Sequence, residues 1–131
     1  MQDEKKEQEI KQKYLKVELL NKEYEQLCAK EDLINNKIAE LLILKNSVDM
    51  VENRECYSQL GSGVFVFSQI IDNNNFLVNV GKKLFVRMNK NEVKNYLDKK
   101  LKDLEKVNSQ ISQRKKTLEN EIQKQVTELY R

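Results

Sequence analysis

Apolar residues recur at seven-residue intervals in two separate stretches of this chain, a pattern that few folds can accommodate. The first stretch has one row at Leu20, Leu27, Ile34, Leu41 and Val48, and an offset row at Ile10, Val17, Tyr24 and Ile38. The second stretch has Leu97, Leu104, Ile111 and Leu118, supported by Leu101, Ile122 and Leu129. Alternating steps of three and four residues predict two helices that pair along a coiled-coil seam.

The two helical stretches are equally long, from Ile10 to Val48 and from Val93 to Arg131. An antiparallel hairpin of these helices therefore places Ile10 beside the C-terminus and Val48 beside Val93. The chain contains no Pro and three Gly, so almost nothing interrupts a helix. Residues 1–9 hold no apolar residue after the first, and we expect them to form a frayed polar overhang.

Short β-type runs separate the two helical stretches. Residues 56–60, 64–71, 76–80 and 84–88 supply four strand candidates, most of them rich in β-branched and aromatic residues, and the run of Asp and Asn at 72–75 is typical of a turn. We expect four strands arranged as two β-hairpins. Asn89 stands three residues before Glu92, a spacing that predicts the capped start of the second helix.

The predicted fold class is α+β, a long antiparallel two-helix coiled coil capped by two β-hairpins that join an oligomeric β-barrel. We expect a single domain with an N-terminal coiled-coil helix at 1–55, a β-hairpin oligomerisation cap at 56–88 and a C-terminal coiled-coil helix at 89–131. Isolated hairpins are marginal in water, and two helices that leave the cap in one direction cannot cover its apolar residues. The residues expected to pair with other subunits are Leu60, Gly61, Gly63, Val64, Val66, Ile70, Val78, Val80, Gly81 and Phe85.

Residues 60–66, 76–81 and 84–86 together resemble the central sequence of alpha-class prefoldin subunits. That family pattern has a Leu-Gly-x-Gly entry into a strand, alternating apolar residues ending in Val-Gly, and an aromatic strand that enters a helix. The order helix, four strands, helix matches over essentially the whole chain. Residues 24–27 and the Leu-Gly start of the sheet also resemble the ubiquitously expressed transcript (UXT) branch of this class. Lys82 and Lys83 stand where small residues are frequent, and Arg87 where an acid is common, which leaves the choice of partners open.

The resemblance implies an ATP-independent co-chaperone that uses no cofactor. Two alpha-class subunits would dock through their hairpins and recruit four beta-class subunits. The helices would grip non-native polypeptide clients and pass them to a group II chaperonin. The candidate client-binding residues are Ile10, Tyr14, Leu15, Val17, Ile122, Val126, Leu129 and Tyr130, which have an equally good interpretation as the end of the seam. The alternative function is a prefoldin-like scaffold or adaptor in a transcription- or assembly-related complex, without direct client holding.

Catalysis has little support in this sequence. The chain has no His, so Ser-His-Asp and Cys-His arrangements are excluded, and Cys28 and Cys56 make a poor zinc site. Residues 61–63 lack the later Gly of a dinucleotide-binding loop and lead into a strand instead of a helix. We expect no enzymatic activity. The low number of Cys indicates reduced thiols, and no apolar run approaches the ~20 residues of a membrane span. We therefore expect a cytoplasmic protein, with the nucleus as an alternative location.

A local excess of positive charge lies between Lys82 and Lys106. This segment has nine basic and four acidic residues, and the difference is larger than the formal net charge of +3 for the whole chain. The acids are interleaved and no array of aromatic residues for base stacking accompanies them. This composition favours an acidic partner surface or a solvated helix face over nucleic-acid binding.

Overall fold

The computed structural model describes residues 2–130. Its elements, in chain order, are α1 (Gln2–Met50), β1 (Glu55–Gly61), β2 (Val64–Gln69), β3 (Phe76–Gly81), β4 (Leu84–Met88) and α2 (Lys90–Leu129). Two long helices thus flank two antiparallel hairpins, which confirms the predicted fold. The backbone divides into two compact units. One combines α1 up to Ile38 with α2 from Asp103 onward, and the other spans Ala39–Lys102.

In the first unit the two helices run antiparallel. The hydroxyl of Tyr24 donates to Glu119 at 2.7 Å, and the amide of Asn108 donates to Asn35 at 3.0 Å. Eleven residues up α1, from Tyr24 to Asn35, therefore match eleven residues down α2, from Glu119 to Asn108. Leu118 has no exposed surface and is the best-buried side chain described. Burial at seven-residue spacing is the direct consequence of the predicted heptads.

The expectation of a frayed overhang at residues 1–9 is wrong for the residues that the structure describes. Residues 2–9 belong to α1, with every side chain exposed, and residue 1 lies outside the described part. The helix extends there because Gly and Pro are absent and because Asp3 and Glu4 occupy the first turn. Acidic side chains at a helix N-terminus interact favourably with the helix dipole.

In the second unit the helices are again antiparallel. Lys45 forms an ion pair with Asp98 at 2.6 Å, and Lys94 forms one with Asp49. The second pair confirms the predicted placement of Val48 beside Val93. The buried apolar side chains of this unit are Leu41, Val48, Val93, Leu97 and Leu101.

Helix α1 ends at Met50, before the predicted boundary at residue 55, and β1 begins already at Glu55. The backbone N–H of Ile70 donates to the carbonyl of Arg54 at 2.8 Å. This bond continues the β1–β2 pairing beyond the assigned strands. Pairing with β2 thus satisfies backbone groups that a longer helix would otherwise use.

The first hairpin has a bulge immediately before its turn. Gln59 pairs with Phe65 and Gly61 with Val64, which leaves Leu60 without a partner. Ser62 and Gly63 form the turn at φ values of +47° and +80°. Two central residues with positive φ define the type I′ turn, whose twist matches that of the flanking strands.

The second hairpin repeats this geometry. Val80 is the unpaired residue of the bulge, and Lys82 and Lys83 form the turn at φ values of +50° and +61°. Type I′ turns favour Asn-Gly and related pairs, because side chains with a Cβ are strained at positive φ. The first hairpin has Gly63 at one of these positions, whereas the second has lysines at both.

The start of α2 is fixed by a complete capping box. The backbone N–H of Glu92 donates to the Asn89 side chain at 2.8 Å, and the N–H of Asn89 donates to the Glu92 carboxylate at 3.4 Å. The N–H of Lys90 donates to the Asn74 side chain, while the N–H of Asn74 donates to the Asp72 carboxylate. The predicted cap and the predicted turn at 72–75 are both confirmed, and the turn supplies one bond to the helix.

Candidate interaction surfaces

The first hairpin exposes apolar side chains on both of its faces. Tyr57 pairs across the strands with Phe67 in an edge-to-face contact at 5.5 Å, and both side chains are largely exposed. Val64 and Val66 lie on the opposite face and are exposed as well. A hairpin with two apolar faces cannot bury both against one helix pair, so part of this surface stays available for contact with another molecule.

The second hairpin has unlike faces. Phe76, Val78 and Val80 are half-buried, whereas Leu77 and Phe85 on the other face are more than half exposed. The alternation along β3 follows from the two-residue period of a strand. The exposed face is therefore the one available to a partner.

The residues predicted for oligomerisation all lie on these two hairpins or in the segment that follows β2. Leu60, Val64, Val66 and Phe85 are exposed, and Ile70, Val78 and Val80 are half-buried. The three glycines stand at the turns with positive φ. Their role in assembly stays a prediction. Sequence reasoning missed several exposed side chains on the same strands, which the alternation of the strands would have revealed: Tyr57, Phe65, Phe67, Leu77, Leu84 and Val86.

The residues predicted for client binding differ in exposure between the two helices. Those on α1 are mostly exposed, including Ile10, Tyr14 and Leu15, whereas Val17 is half-buried. The α2 residues Ile122, Val126 and Leu129 are half-buried, and Tyr130 beyond them is exposed. Half-buried positions fit the alternative interpretation, in which they complete the seam. Client binding at these ends stays a prediction.

Part of an exposed apolar strip on α1 was missed. Leu19 is 68% exposed, and together with Leu15, which was predicted for client binding, it lines a shallow groove on the helix surface. These two residues are four apart and so share a helix face. Leu19 falls outside the heptad rows, and its spacing from Leu15 is the signal that would have found it.

A polar cluster interrupts the seam of the first unit. Lys115 donates to Glu31 at 3.3 Å, its ammonium lies 5.3 Å from the centre of the Tyr24 ring, and Ser112 donates to the same carboxylate at 3.5 Å. Glu31 and Lys115 occupy heptad positions, so the sequence spacing alone could have placed each of them in the seam, although not opposite one another. A polar pair at such positions favours one register of the two helices over others.

Two ionisable groups in this cluster are perturbed. The hydrogen bond to Glu119, with burial and the Glu119 charge as smaller causes, raises the pKa of Tyr24. The hydrogen bond to Glu31 raises the pKa of Lys115, against a smaller opposing effect of burial. In both cases the protonated form is the one that donates the hydrogen bond. The cluster therefore holds its protons in the folded state.

Comparison with known proteins identifies the family to which this fold belongs. The family model described as "Prefoldin subunit" matches residues 5–130. The chain belongs to the prefoldin family. A cryo-EM structure of filamentous prefoldin (PFD) from Methanocaldococcus jannaschii is similar in fold, with a TM-score of 0.52 and 19% sequence identity. The match covers 93% of this chain and 98% of the archaeal chain. No curated protein matches the sequence.

The described part of this prefoldin subunit contains no group of three or more His, Cys, Asp or Glu side chains that could hold a metal ion. Across residues 2–130, neither helix combines the length and the apolar character required to cross a membrane. Cys28 and Cys56 are both free and half-buried. The exposed surfaces described above are apolar and charged faces.

Proposed function

We propose that this chain is an alpha-class subunit of a prefoldin-type hetero-oligomer. In this proposal it acts without ATP or catalysis, binds non-native polypeptides in the cytoplasm or nucleus, and delivers them to a group II chaperonin. Its subunit partners would be a second alpha-class chain and beta-class chains. Membership in the prefoldin family and the two β-hairpins support this assignment. Placement in the UXT-like branch stays a prediction from residues 24–27.

The exposed apolar surface of the hairpins is the observation that carries the proposal. Val64, Phe65 and Phe67 in one hairpin and Leu77 and Phe85 in the other are each more than half exposed. Each two-stranded sheet also has free backbone groups along its edges. Burial of such side chains contributes roughly 25 cal/mol per Å² of apolar area, so pairing with other hairpins is strongly favoured.

Client binding at the helix ends is supported by the exposed side chains of Ile10, Tyr14 and Leu15. They continue apolar character beyond Tyr24, where the Tyr24–Glu119 hydrogen bond links the two helices. Apolar side chains on a helix can repack around different partners, which suits a binder of many unfolded chains.

Assembly is tested with the double variant Val66→Asp and Phe85→Asp, two residues on the exposed faces of the hairpins. We expect it to remain helical in circular dichroism and to lose co-sedimentation with other subunits, because charges would enter the apolar contact. The matched control is Leu33→Asp with Met50→Asp, which places two charges on exposed helix side chains outside the hairpins. Sedimentation of the unmodified chain as a stable folded monomer at micromolar concentration would refute the assembly proposal.

Chaperone function is tested by truncation of residues 1–17 together with residues 121–131. The shortened complex should still assemble through the hairpins but should suppress aggregation of a denatured test protein less than the full-length complex. Equal protection would favour the scaffold or adaptor function. Mass spectrometry of co-purifying proteins then separates the two: beta-class subunits and chaperonin indicate a chaperone, and transcription- or assembly-related proteins indicate a scaffold.

A further inference from the structure

Four lysines come from the turn of the second hairpin and from the helix that follows it. Met88 and Lys90 join β4 directly to α2, and the hydroxyl of Tyr96 donates to the backbone carbonyl of Asn79 at 3.5 Å. The junction and this bond bring β3 close to the second turn of α2. Both β3 and α2 lead away from the junction toward this contact.

The turn of the hairpin therefore lies further along α2 than Tyr96. Lys82 follows Asn79 by three residues, about 10 Å along a strand. Lys99 and Lys100 follow Tyr96 by three and four residues, which is one helical turn and the same helix face. The Lys100 ammonium lies 4.9 Å from the centre of the Tyr96 ring, on the side chain whose hydroxyl contacts the hairpin. We name the surface formed by Lys82, Lys83, Lys99 and Lys100 the lysine face.

The charges of the lysine face are not neutralised within the second unit. Of the nearby acids, Asp98 pairs with Lys45, Asp49 pairs with Lys94, and Glu92 caps α2. Asp103, one helical turn beyond Lys99 and Lys100, forms no ion pair with either of them in the described part of the chain. The side chains of Lys82, Lys83 and Lys99 are exposed. Like charges grouped in this way repel one another, and an opposite charge from another molecule relieves the repulsion.

The strained turn is an independent observation. The two hairpins share the same register and the same bulge, and the first one uses Ser62 and Gly63 at the positions where the second uses two lysines. Lys82 and Lys83 both adopt positive φ, at which a side chain with a Cβ is strained. Strain of this kind points to a function for the side chains. Here it presents two ammonium groups at the tip of the hairpin.

We propose that the lysine face docks an acidic segment of a partner polypeptide. Carboxylates spaced along an extended segment would pair with the lysines of the turn and of α2, and an apolar residue of the segment would contact the exposed Leu84 beside the turn. This inference goes beyond the proposed function and does not rest on it, because a scaffold and a chaperone would use such a surface equally.

An acidic polypeptide fits this surface better than a nucleic acid. Proteins that bind single strands stack successive bases on aromatic rings. The Tyr96 ring is covered by Lys100, and its hydroxyl is engaged by Asn79. Of the aromatic side chains described in this hairpin, Phe85 is the exposed one, which falls short of an array.

The test measures binding of a fluorescein-labelled polyglutamate peptide of about ten residues to the full chain in its assembled form, by fluorescence anisotropy. An uncharged Gly-Ser peptide and a single-stranded oligonucleotide of about twenty nucleotides serve as competing probes. We expect the polyglutamate peptide to bind most tightly, and its affinity to fall as the salt concentration rises, since exposed charges are screened.

Two variants locate the site. Lys82→Asn with Lys83→Gly removes the turn charges while supplying the residues that a type I′ turn favours, so its folding is not at risk. Lys99→Gln with Lys100→Gln removes the helix charges. Each should weaken peptide binding about fivefold or more. The matched control, Lys22→Gln with Lys30→Gln, removes two exposed charges from α1 and should change the affinity less than about twofold.

Three results would overturn the proposal. The first is unchanged peptide affinity in both lysine-face variants. The second is an equal loss of affinity in the α1 control, which would mean that net charge alone attracts the peptide. The third is tighter binding of the oligonucleotide than of the peptide, which would make the lysine face a nucleic-acid contact.

Discussion

The ammonium of Lys115 in α2 lies 3.3 Å from a carboxylate oxygen of Glu31 in α1, within a seam that is otherwise largely apolar. Their side chains are only 19% and 23% exposed. Taking two charges partly out of water is unfavourable, and their attraction offsets that penalty only while both are present. The pair is thus better suited to fixing the register of the helices than to stabilising them.

We expect unequal effects from single and double replacement of this pair. Lys115→Met should lower the melting temperature of the assembled protein, because Glu31 would keep a partly buried charge without its partner. Glu31→Leu combined with Lys115→Met should recover most of the loss, because apolar side chains suit the seam. A double variant that melts below the single variant would contradict this account.

Alkaline pH should remove the hydrogen bond between Tyr24 and Glu119. The pKa of Tyr24 is raised above its ordinary value of 10.0, so the bond contributes stability below that pH and loses it as the pH rises through the raised value. The melting difference between the unmodified chain and Tyr24→Phe should be constant up to about pH 10 and should then vanish. The pKa of Lys115 is likewise raised above its ordinary value of 10.5, so its contribution to stability is also lost as the pH rises through the raised value.

The control for this pH experiment is Tyr14→Phe. Tyr14 is 56% exposed, and its hydroxyl makes no hydrogen bond to any residue in the described range 2–130. Its melting difference from the unmodified chain should stay near zero throughout. A pH-dependent difference of equal size in both variants would show that the effect belongs to tyrosine ionisation in general.

Leu118→Ala should be strongly destabilising. The side chain has no exposed surface, so its removal leaves a cavity in the first unit and should lower the free energy of unfolding by roughly 2–5 kcal/mol. Leu33→Ala, on an exposed leucine of α1, is the control and should change it by less than about 0.5 kcal/mol. Chemical denaturation measures both, and equal losses would mean that the helices do not pair through Leu118.

Asn108→Leu should stabilise the first unit. The side-chain oxygen of Asn108 is buried and lacks a hydrogen-bond partner among the described residues, while its amide nitrogen donates to Asn35. Removal of an unsatisfied buried oxygen should raise the free energy of unfolding by about 1 kcal/mol, since Asn35 is exposed and can bond water instead. A fall in stability would show that the Asn35–Asn108 bond outweighs this penalty.

Substitutions in the two hairpin turns should change the free energy of unfolding in opposite directions. Lys82→Asn with Lys83→Gly should raise the free energy of unfolding by about 1 kcal/mol, because these residues adopt positive φ readily. Gly63→Lys in the first turn should lower it by about the same amount, since Gly63 has a φ of +80°. Thermal melting of both variants checks the pair, and a stabilising Gly63→Lys would contradict the strain argument.

Several details of the fold could be predicted because they depend on neighbouring residues. The Asn89–Glu92 capping box and the turn at Asp72–Asn75 involve groups within three residues of each other. The strand positions followed from the β-branched and aromatic runs between the two helical stretches. The predicted N-terminal helix at 1–55 includes the start of α1, but the frayed form expected for residues 2–9 was wrong, because these residues carry no heptad signal and yet nothing in them prevents a helix.

The sequence by itself determined the two helices, the two hairpins and the antiparallel seam, because periodic and local patterns are complete within short stretches of chain. Tertiary structure decided which polar side chains meet in the seam. Glu31 finds Lys115 and Asn35 finds Asn108 across more than seventy residues of chain. It also brought Tyr96, which carries the Lys100 ammonium over its ring, against Asn79. Contacts of this kind depend on the register of packed elements, which no single stretch of sequence contains.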